Sequence, residues 1–512
     1  MKKEIWRLLF SRYAVCALTI AAEVFVIGMV IAAASIVSYA FFGLCALIDL
    51  IAVIAIINRD ANPEYKVTWT VLVLVMPLFG VLLYVIFYRR RITKSEQRLL
   101  EGIFKRIRAQ GSSRHAFDMM RRRSPLAAGK ARAIMNDDSL SEVYTNSSST
   151  IFSSGESLFD SMIRDLGEAR EYIFLEYFII SEGKLWDKIH SILREKAKGG
   201  VEVRLLFDDF GCMRTLPSYY ENELRREGIQ AYRFNRVSPK MSSIHNNRDH
   251  RKICIIDGRV GYTGGVNIAD EYVNEIERFG YWKDGGIRLC GDALRGLIKE
   301  FLSGWDFTAG SFSDYGRYLG NVKPAPYNDG GYYLPFVSGP APIYARPTGK
   351  NAFLNLINQA RNYVYITTPY LVIDYELTES LCNAARRGVD VRIITPGIPD
   401  KKKVKIMTKS SYPHLMEAGV KIYEYLPGFI HEKTLVCDDK YAVIGTINFD
   451  YRSLVHHFEN AVWMYATPTV EVARDEFLKT ISESEMVDDK KSKLTLREWI
   501  FRNAIRLFAP LL

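Results

Sequence analysis

The chain has 512 residues and a formal net charge of +10, too long for one ordinary core, so two or three domains are expected. The positive excess suits an anionic partner such as acidic lipid, nucleic acid or a phosphate ester. Seven scattered cysteines with no CxxC pair argue against a disulfide framework and against a cysteine zinc site.

Three apolar runs open the chain, at 14–32, 36–57 and 68–88, each near the ~20 residues that a bilayer-spanning helix needs. Residues 1–90 therefore read as a membrane anchor of two or three transmembrane helices. Glu23 and Asp49 lie inside two of the runs and must either snorkel or face a neighbouring helix. Lys2, Lys3, Arg7 and Arg12 precede the block, and Arg89, Arg90, Arg91, Lys94 and Arg98 follow it. Both clusters favour the inner face, and three full spans cannot satisfy both. Residues 91–135 read as a basic linker.

From 136 onward the chain is written twice. EYIFLEYFII (171–180) matches NYVYITTPYL (362–371), and KGGVEVRLLFDDFG (198–211) matches RRGVDVRIITPGIP (386–399). Helix-like runs lie between, at 184–198 and 376–387. Each half, 136–325 and 326–485, reads strand, helix, strand, as in an α/β sandwich with largely parallel order. The Val-rich strands are apolar on both faces, as buried strands are. The end, 486–512, reads as an amphipathic tail. In it Glu498, Arg502 and Arg506 recur every four residues beside Ile500, Phe501, Ala504, Ile505, Leu507 and Phe508, a pattern for an anionic membrane surface or for docking on the core.

The repeat is sharpest at HRKICIID (250–257) and HEKTLVCD (431–438). Both are His-x-Lys-x4-Asp, and both lead at the same spacing to Gly264 and Asn267 or to Gly445 and Asn448. His250 and Lys252, two apart in a strand, face the same way. Asp257-Gly258 signals a hairpin turn, and the returning strand brings Asn267 back toward His250. The second copy does the same with His431, Lys433, Asp438 and Asn448. A lysine beside each histidine disfavours a metal site, and no phosphate-loop or dinucleotide glycine pattern occurs. The set suits a phosphate ester. Lys and Asn donate to non-bridging oxygens, and histidine attacks phosphorus or moves a proton. Displacement at a phosphodiester has two ends, which accounts for two copies.

These motifs resemble the paired His-Lys-Asp signatures of the phospholipase D superfamily. The chain is similar to its bacterial cardiolipin synthase family in NRDHRKICIID, TGGVNIADEY (263–272), GTINFDYRS (445–453), NPEYKVTWTVLVLVMPLFGVLLYVIF (62–87) and the closing RLFAPLL. It departs in having Asp249 where Asn is usual and in the extra apolar run at 14–32. The resemblance implies two repeated phospholipase D-like α/β/α sandwich halves facing each other, preceded by N-terminal transmembrane helices. It implies a membrane-bound phosphatidyltransferase that joins two phosphatidylglycerols into cardiolipin and glycerol through a phosphatidyl-histidine, without metal, nucleotide or nucleic acid. It also implies a carboxylate from the opposite half on each histidine, Glu459 for His250 and Asp284 for His431. A hydrolase, a transferase using another alcohol, a nuclease and an inactive scaffold are the rival readings.

Asp257 and Asp438 complete the motifs but, at turns, are expected to buttress loops. Glu271 and Asp450 could line the pocket. Asp208 and Asp209 end a strand and read as solvated loop carboxylates, with contact to a glycerol hydroxyl as the alternative. Lys401, Lys402, Lys403 and Lys405 read as a solvated run, with lipid headgroup binding as the alternative. His456 and His457, being adjacent, point apart and suit no shared metal. His115, His190, His245 and His414 have no evident company. Free cysteines in both motif strands, Cys254 and Cys437, favour a cytosolic catalytic part.

Overall fold

The computed structural model describes residue 21 and residues 36–59, 62–88, 92–111, 114–138, 140–236, 247–341, 343–488 and 495–506. The chain divides into two compact units. One comprises 1–92, 237–246 and 503–512; the other comprises 93–236 and 247–502.

In the first unit, helix α1 (Ile36–Ile57) has 22 residues, or about 33 Å, enough to cross a hydrocarbon layer of ~30 Å. Among the described residues it is the one helix long and apolar enough to do so. Asp49 is buried on the same face as Cys45, Ala52 and Ile56, so it faces neighbouring helices and does not snorkel. The run at 68–88, expected as one span, is two helices, α2 (Pro63–Val75) and α3 (Pro77–Tyr88). Met76 leaves the helical region at φ −130° and ψ 77°, as a residue before proline prefers. The chain then folds back, with the Trp69 and Tyr84 rings 5.4 Å apart, where one continuous helix would separate them by about 22 Å. A Cβ at Gly80 would lie 2.4 Å from the Leu72 carbonyl, so glycine permits the close return. The apolar run at 14–32 lies outside the described residues, apart from position 21.

The second unit holds both halves. The first supplies β1 (Ser147–Phe152), β2 (Tyr172–Tyr177), β3 (Glu202–Asp208), β4 (Gln230–Phe234), β5 (Ile253–Ile256), β6 (Val260–Gly264), β7 (Tyr281–Lys283) and β8 (Gly286–Gly291). The second supplies β9 (Tyr332–Ser338), β10 (Tyr363–Thr367), β11 (Leu371–Val372), β12 (Asp390–Pro396), β13 (Lys421–Tyr425), β14 (Gly428–Ile430), β15 (Thr434–Cys437), β16 (Tyr441–Gly445), β17 (Phe449–Asp450), β18 (Glu459–Tyr465) and β19 (Ser484–Met486). The main sheets run β1-β8-β6-β5-β2-β3-β4 and β19-β13-β12-β10-β15-β16-β18-β9. In each, three strands joined by helices are parallel, β2-β3-β4 and β10-β12-β13, and the motif strand, β5 or β15, lies antiparallel beside the first of them.

Strand alternation builds the layers. Ile253 and Ile255 enter a core shared by the two sheets, with Val436, Val462 and Met464 from the other half. Cys254 and Ile256 enter the outer core of the first half, and Leu435 and Cys437 that of the second. Helix Leu294–Ala309 fills the middle layer with Leu297, Phe301 and Trp305.

The stretch 91–135 is not a linker. It forms helices Lys94–Arg108, His115–Arg123 and most of Pro125–Asp137. Leu100, Ile103 and Ile107 of the first lie on one buried face, and Met120, Ala127, Ala131 and Ile134 join the second half's outer core. Apart from the buried Lys130, the described lysines and arginines of this stretch cover the solvent side and mask an apolar stripe. Lys405 is likewise not solvated: its Nζ lies 2.6 Å from Glu424. The tail carries helix Leu496–Arg506, with Leu496, Trp499 and Ile500 exposed.

Asp257 and Asp438 sit in the left-handed region, at φ 54° and 55°. Asp257 accepts hydrogen bonds from the backbone N–H of Arg170, Glu171 and Tyr172, each at 2.8 Å. Asp438 does the same for Arg361, Asn362 and Tyr363 at 2.8–3.0 Å. Each aspartate thus ties the motif strand to the start of the neighbouring strand. Seven residues of extended chain put it roughly 20 Å from its histidine, out of reach of the chemistry expected of the motif. Asp257→Ala is expected to cost about 2–4 kcal/mol of stability, since three backbone donors lose a charged acceptor. Thermal denaturation checks this, and the activity of the molecules that remain folded should be close to normal.

Candidate active site

The two motif histidines are reached by equivalent routes. The His250 backbone N–H donates to the Phe458 carbonyl at 2.8 Å, and that of His431 donates to the Lys283 carbonyl at 2.7 Å. Both bonds cross between halves. They continue the parallel pairing of β14 with β7 and a bridge between Asp249 and Phe458. The residue after each carbonyl is acidic. Glu459 Oε2 lies 2.9 Å from His250 Nδ1, and Asp284 Oδ2 lies 2.6 Å from His431 Nδ1. Each imidazole is therefore held by a carboxylate of the other half.

All these groups are buried: His250 is 7% exposed, His431 6%, and Glu459 and Asp284 0%. Lys252 donates to the His250 carbonyl at 2.6 Å. Lys433 turns back on its own histidine, with Nζ 2.7 Å from His431 Nδ1. Asn267 accepts from Ile179 N–H at 3.0 Å and donates to the Tyr272 hydroxyl at 2.7 Å. Asn448 lies in the matching place, its Oδ1 buried without a partner.

The two half-sites differ in how the carboxylate is seated. A Cβ at Gly265 would lie 2.1 Å from Asp284 Oδ1, so only glycine leaves room for that carboxylate. The matching position is Thr446, whose hydroxyl donates to Glu459 Oε2 at 2.5 Å. Ser453 Oγ donates to the other oxygen of Glu459. The ring against each histidine differs too. Trp282 packs on His431 and His457 on His250, both with centroids 5.6 Å apart.

Two family models match the chain. One, described as "Cardiolipin synthase, PLD-like domain", covers 162–277 and 353–481, and one described as "Phospholipase_D-nuclease N-terminal" covers 47–89. A cardiolipin synthase of Geobacillus sp. is 33% identical over 91% of this chain and 92% of its own length. The chain belongs to the cardiolipin synthase family. Cardiolipin synthase 2 of Bacillus anthracis is 32% identical over 89% of this chain and 88% of its own length. An uncharacterized protein of Streptococcus mutans is 44% identical over 72% of this chain and 80% of its own. Among solved structures, a phosphatidylserine synthase of Haemophilus influenzae superposes with a TM-score of 0.55 at 16% identity. It matches 75% of this chain and all of its own length, a likeness of fold.

Burial dominates the electrostatics of this cardiolipin synthase family site. It pulls His250 down to about 3, with Lys252 and His457 adding to the effect and Glu459 opposing it. His431 is held well below its usual range by burial, Lys433, Lys252 and Lys401. Both imidazoles are therefore neutral at rest. Burial lifts Asp284 to about 7, against the pull of Lys433. For Glu459 burial acts the same way, but His250 and His457 outweigh it and leave the carboxylate below its usual range.

Several readings of the sequence need correcting here. Asp208 is no solvated loop residue. It is fully buried and accepts from the backbone N–H of Phe210, Gly211 and Asp249, which anchors the segment entering His250. Asp249 pairs through both oxygens with Arg251, whose guanidinium also meets Glu176 at 2.6 Å. Glu271 pairs with Arg278 at 3.1 Å, and Asp450 caps the turn at Ser453 N–H. Asp209 pairs with Arg233 at 3.0 Å. His190 and His414 each have a carboxylate partner, Glu227 and Glu379, and His245 lies outside the described residues. His457, expected to point away from His456 and to share no metal with it, lies with its Nδ1 3.7 Å from Glu459 and its ring 5.6 Å from that of His250. Glu459 is two residues on in extended chain and so faces the same way, but His250 lies in the other half and no local signal could bring it there.

Two expectations follow. Gly265→Ala pushes Asp284 off His431 and should lower kcat about a hundred-fold with the thermal transition little changed, which steady-state assays and a melt would check. Burial also lowers Lys252 to about 7 and Lys433 to about 8, so each ammonium loses its charge as pH rises through that window. For an anionic substrate, kcat/KM, which follows the free enzyme, should fall from neutral toward alkaline pH. The kcat limb should lie higher, because a bound anion favours the charged lysines. A flat kcat/KM through the alkaline range would mean that neither charge contributes.

Proposed function

We propose that the protein is a membrane-bound phosphatidyltransferase that makes cardiolipin from two phosphatidylglycerols and releases glycerol. The observation that carries this reading is the reciprocal pair of buried histidine–carboxylate couples, each with its lysine and each crossing between halves. Two such couples match the two ends of a phosphodiester exchange, and relatives over nine-tenths of the chain bear the name cardiolipin synthase.

His250 acts as the nucleophile. Its neutral ring is backed by the ionised Glu459, which supports the positive charge that the ring gains when Nε2 bonds phosphorus. The bond from phosphorus to the first glycerol breaks, and the His431–Asp284 couple, which burial favours keeping protonated, delivers a proton to the departing oxygen. The terminal hydroxyl of a second phosphatidylglycerol then gives its proton back to that couple and attacks phosphorus, and the P–N bond breaks. Lys252, Lys433, Asn267 and Asn448 hold the non-bridging oxygens. Asp257 and Asp438 are outside this set.

The membrane reading rests on α1 and on the return of α3 against α2. A run that leaves by the face it entered adds no crossing. A second crossing by the apolar sequence at 14–32, which lies outside the described residues, would bring the basic residues at both ends of the apolar block to the same, cytosolic, face and remove the conflict between the two clusters.

The test is product analysis with phosphatidylglycerol micelles in EDTA throughout, which should yield cardiolipin and glycerol. Phosphatidic acid as the main product would make the enzyme a hydrolase. His250→Asn should lose turnover and all covalent labelling. His431→Asn should lose turnover with phosphatidylglycerol, yet still take a phosphatidyl group from a nitrophenyl ester, whose leaving group needs no proton. Radiolabel on protein that survives alkaline quench and is lost in acid marks a phosphohistidine. Label in His250→Asn and none in His431→Asn would reverse the two roles.

A further inference from the structure

We propose that the half-site around His250 is also a transition-metal site, formed by His250, His457 and Glu459, and that zinc or a similar borderline divalent ion bound there inhibits the enzyme. The inhibitory consequence rests on the reading of His250 as a reacting group; the binding site itself does not.

The donor atoms of these three residues all lie within 4.8 Å of one another. His250 Nδ1 is 2.9 Å from one oxygen of Glu459, and His457 Nδ1 is 3.7 Å from the other. Donors around a tetrahedral zinc ion sit roughly 3.3 Å apart at bond lengths of ~2.0–2.2 Å, so side-chain shifts of about an ångström would close the set. His457 supplies the second observation. Its Nδ1 turns toward Glu459, and its Nε2 is buried with no hydrogen-bond partner, so no rival acceptor or donor fixes this buried ring. Two imidazoles and one carboxylate are the donor set of a zinc- or cobalt-type ion, whereas calcium and magnesium prefer all-oxygen shells.

Among the described residues the other group of three donors is Glu379, Cys382 and His414, with His414 exposed. The position that matches His457 in the other half is Trp282, which has no lone pair to offer, so among the described residues His431 and Asp284 have no third donor. Lys252 faces the same way as His250, and its charge weakens the hold on a cation. The expected behaviour is reversible occupancy that a chelator clears. An ion there holds the His250 ring through Nδ1 and takes from it the Glu459 carboxylate that supports Nε2 in phosphoryl transfer.

The experiment uses the purified full-length protein in detergent. Cobalt(II) is the spectroscopic probe and zinc the inhibitor, with each variant's activity scored against its own metal-free rate. The wild type should show one equivalent of visible cobalt absorption that zinc abolishes, and zinc should inhibit turnover. His457→Asn should lose the absorption and need at least ten-fold more zinc for half-inhibition. His457→Cys should regain both, with a new thiolate band, which separates loss of a ligand from misfolding. His431→Asn should keep the cobalt spectrum. An unchanged spectrum or unchanged zinc sensitivity in His457→Asn overturns the site. Normal cobalt binding with no effect of zinc on turnover leaves the site standing and removes His250 from the reaction instead.

Discussion

Each motif histidine depends on a carboxylate that its own half does not possess. The dependence is fixed by backbone as well as by side chains, because the N–H of each histidine donates to the carbonyl just before that carboxylate. Registering one pair across the interface registers the other, since both lie on the strands that border the shared core. The layered fold, with its two sheets clasping one apolar middle, follows from that demand. Neither half can present a usable imidazole alone, which accounts for one compact unit where the repeat suggests two domains.

Burial sets the chemistry that this geometry allows. Two lysines, two histidines and two carboxylates share a space with almost no water contact, and none can carry a full charge there without an opposing one nearby. The resting site balances ionised Glu459 against the lysines and leaves the rings neutral. On the proposed reaction an arriving phosphodiester would bring a negative charge to the ammonium groups, so substrate would complete the electrostatics of the site. A water-filled cleft with the same residues would hold its charges without substrate and gain little by binding it.

Much of the site was legible because strand geometry leaves a mark on spacing. His250 with Lys252, the turn aspartate and the returning Asn267 recur at 431–448 since strand, turn and strand fix those intervals. Glu459 and Asp284 came from family likeness; no interval within one half could supply them. The approach of His457 to His250 was illegible for the same reason, although its alignment with Glu459 follows from a spacing of two. The helices from 94 to 137 were hidden by their arginines and lysines, although Leu100, Ile103 and Ile107 follow a helical interval. Hydropathy over 68–88 sums composition and overlooks Pro77, the residue that divides the run. Asp208 looked like a loop residue because sequence shows where a strand ends but not what lies over its end.

The seating of the two carboxylates shows what became of the repeat. Gly265 and Thr446 occupy the same place, and they are not exchangeable. One yields its volume to a short acid, and the other lends its hydroxyl to a longer one. A consensus chain, in which each half were averaged toward the other, would crowd Asp284 or strip a donor from Glu459, and so loosen one histidine–carboxylate couple or the other. The residues the halves share bring the same groups to each histidine, and the places where they differ decide how each carboxylate is held.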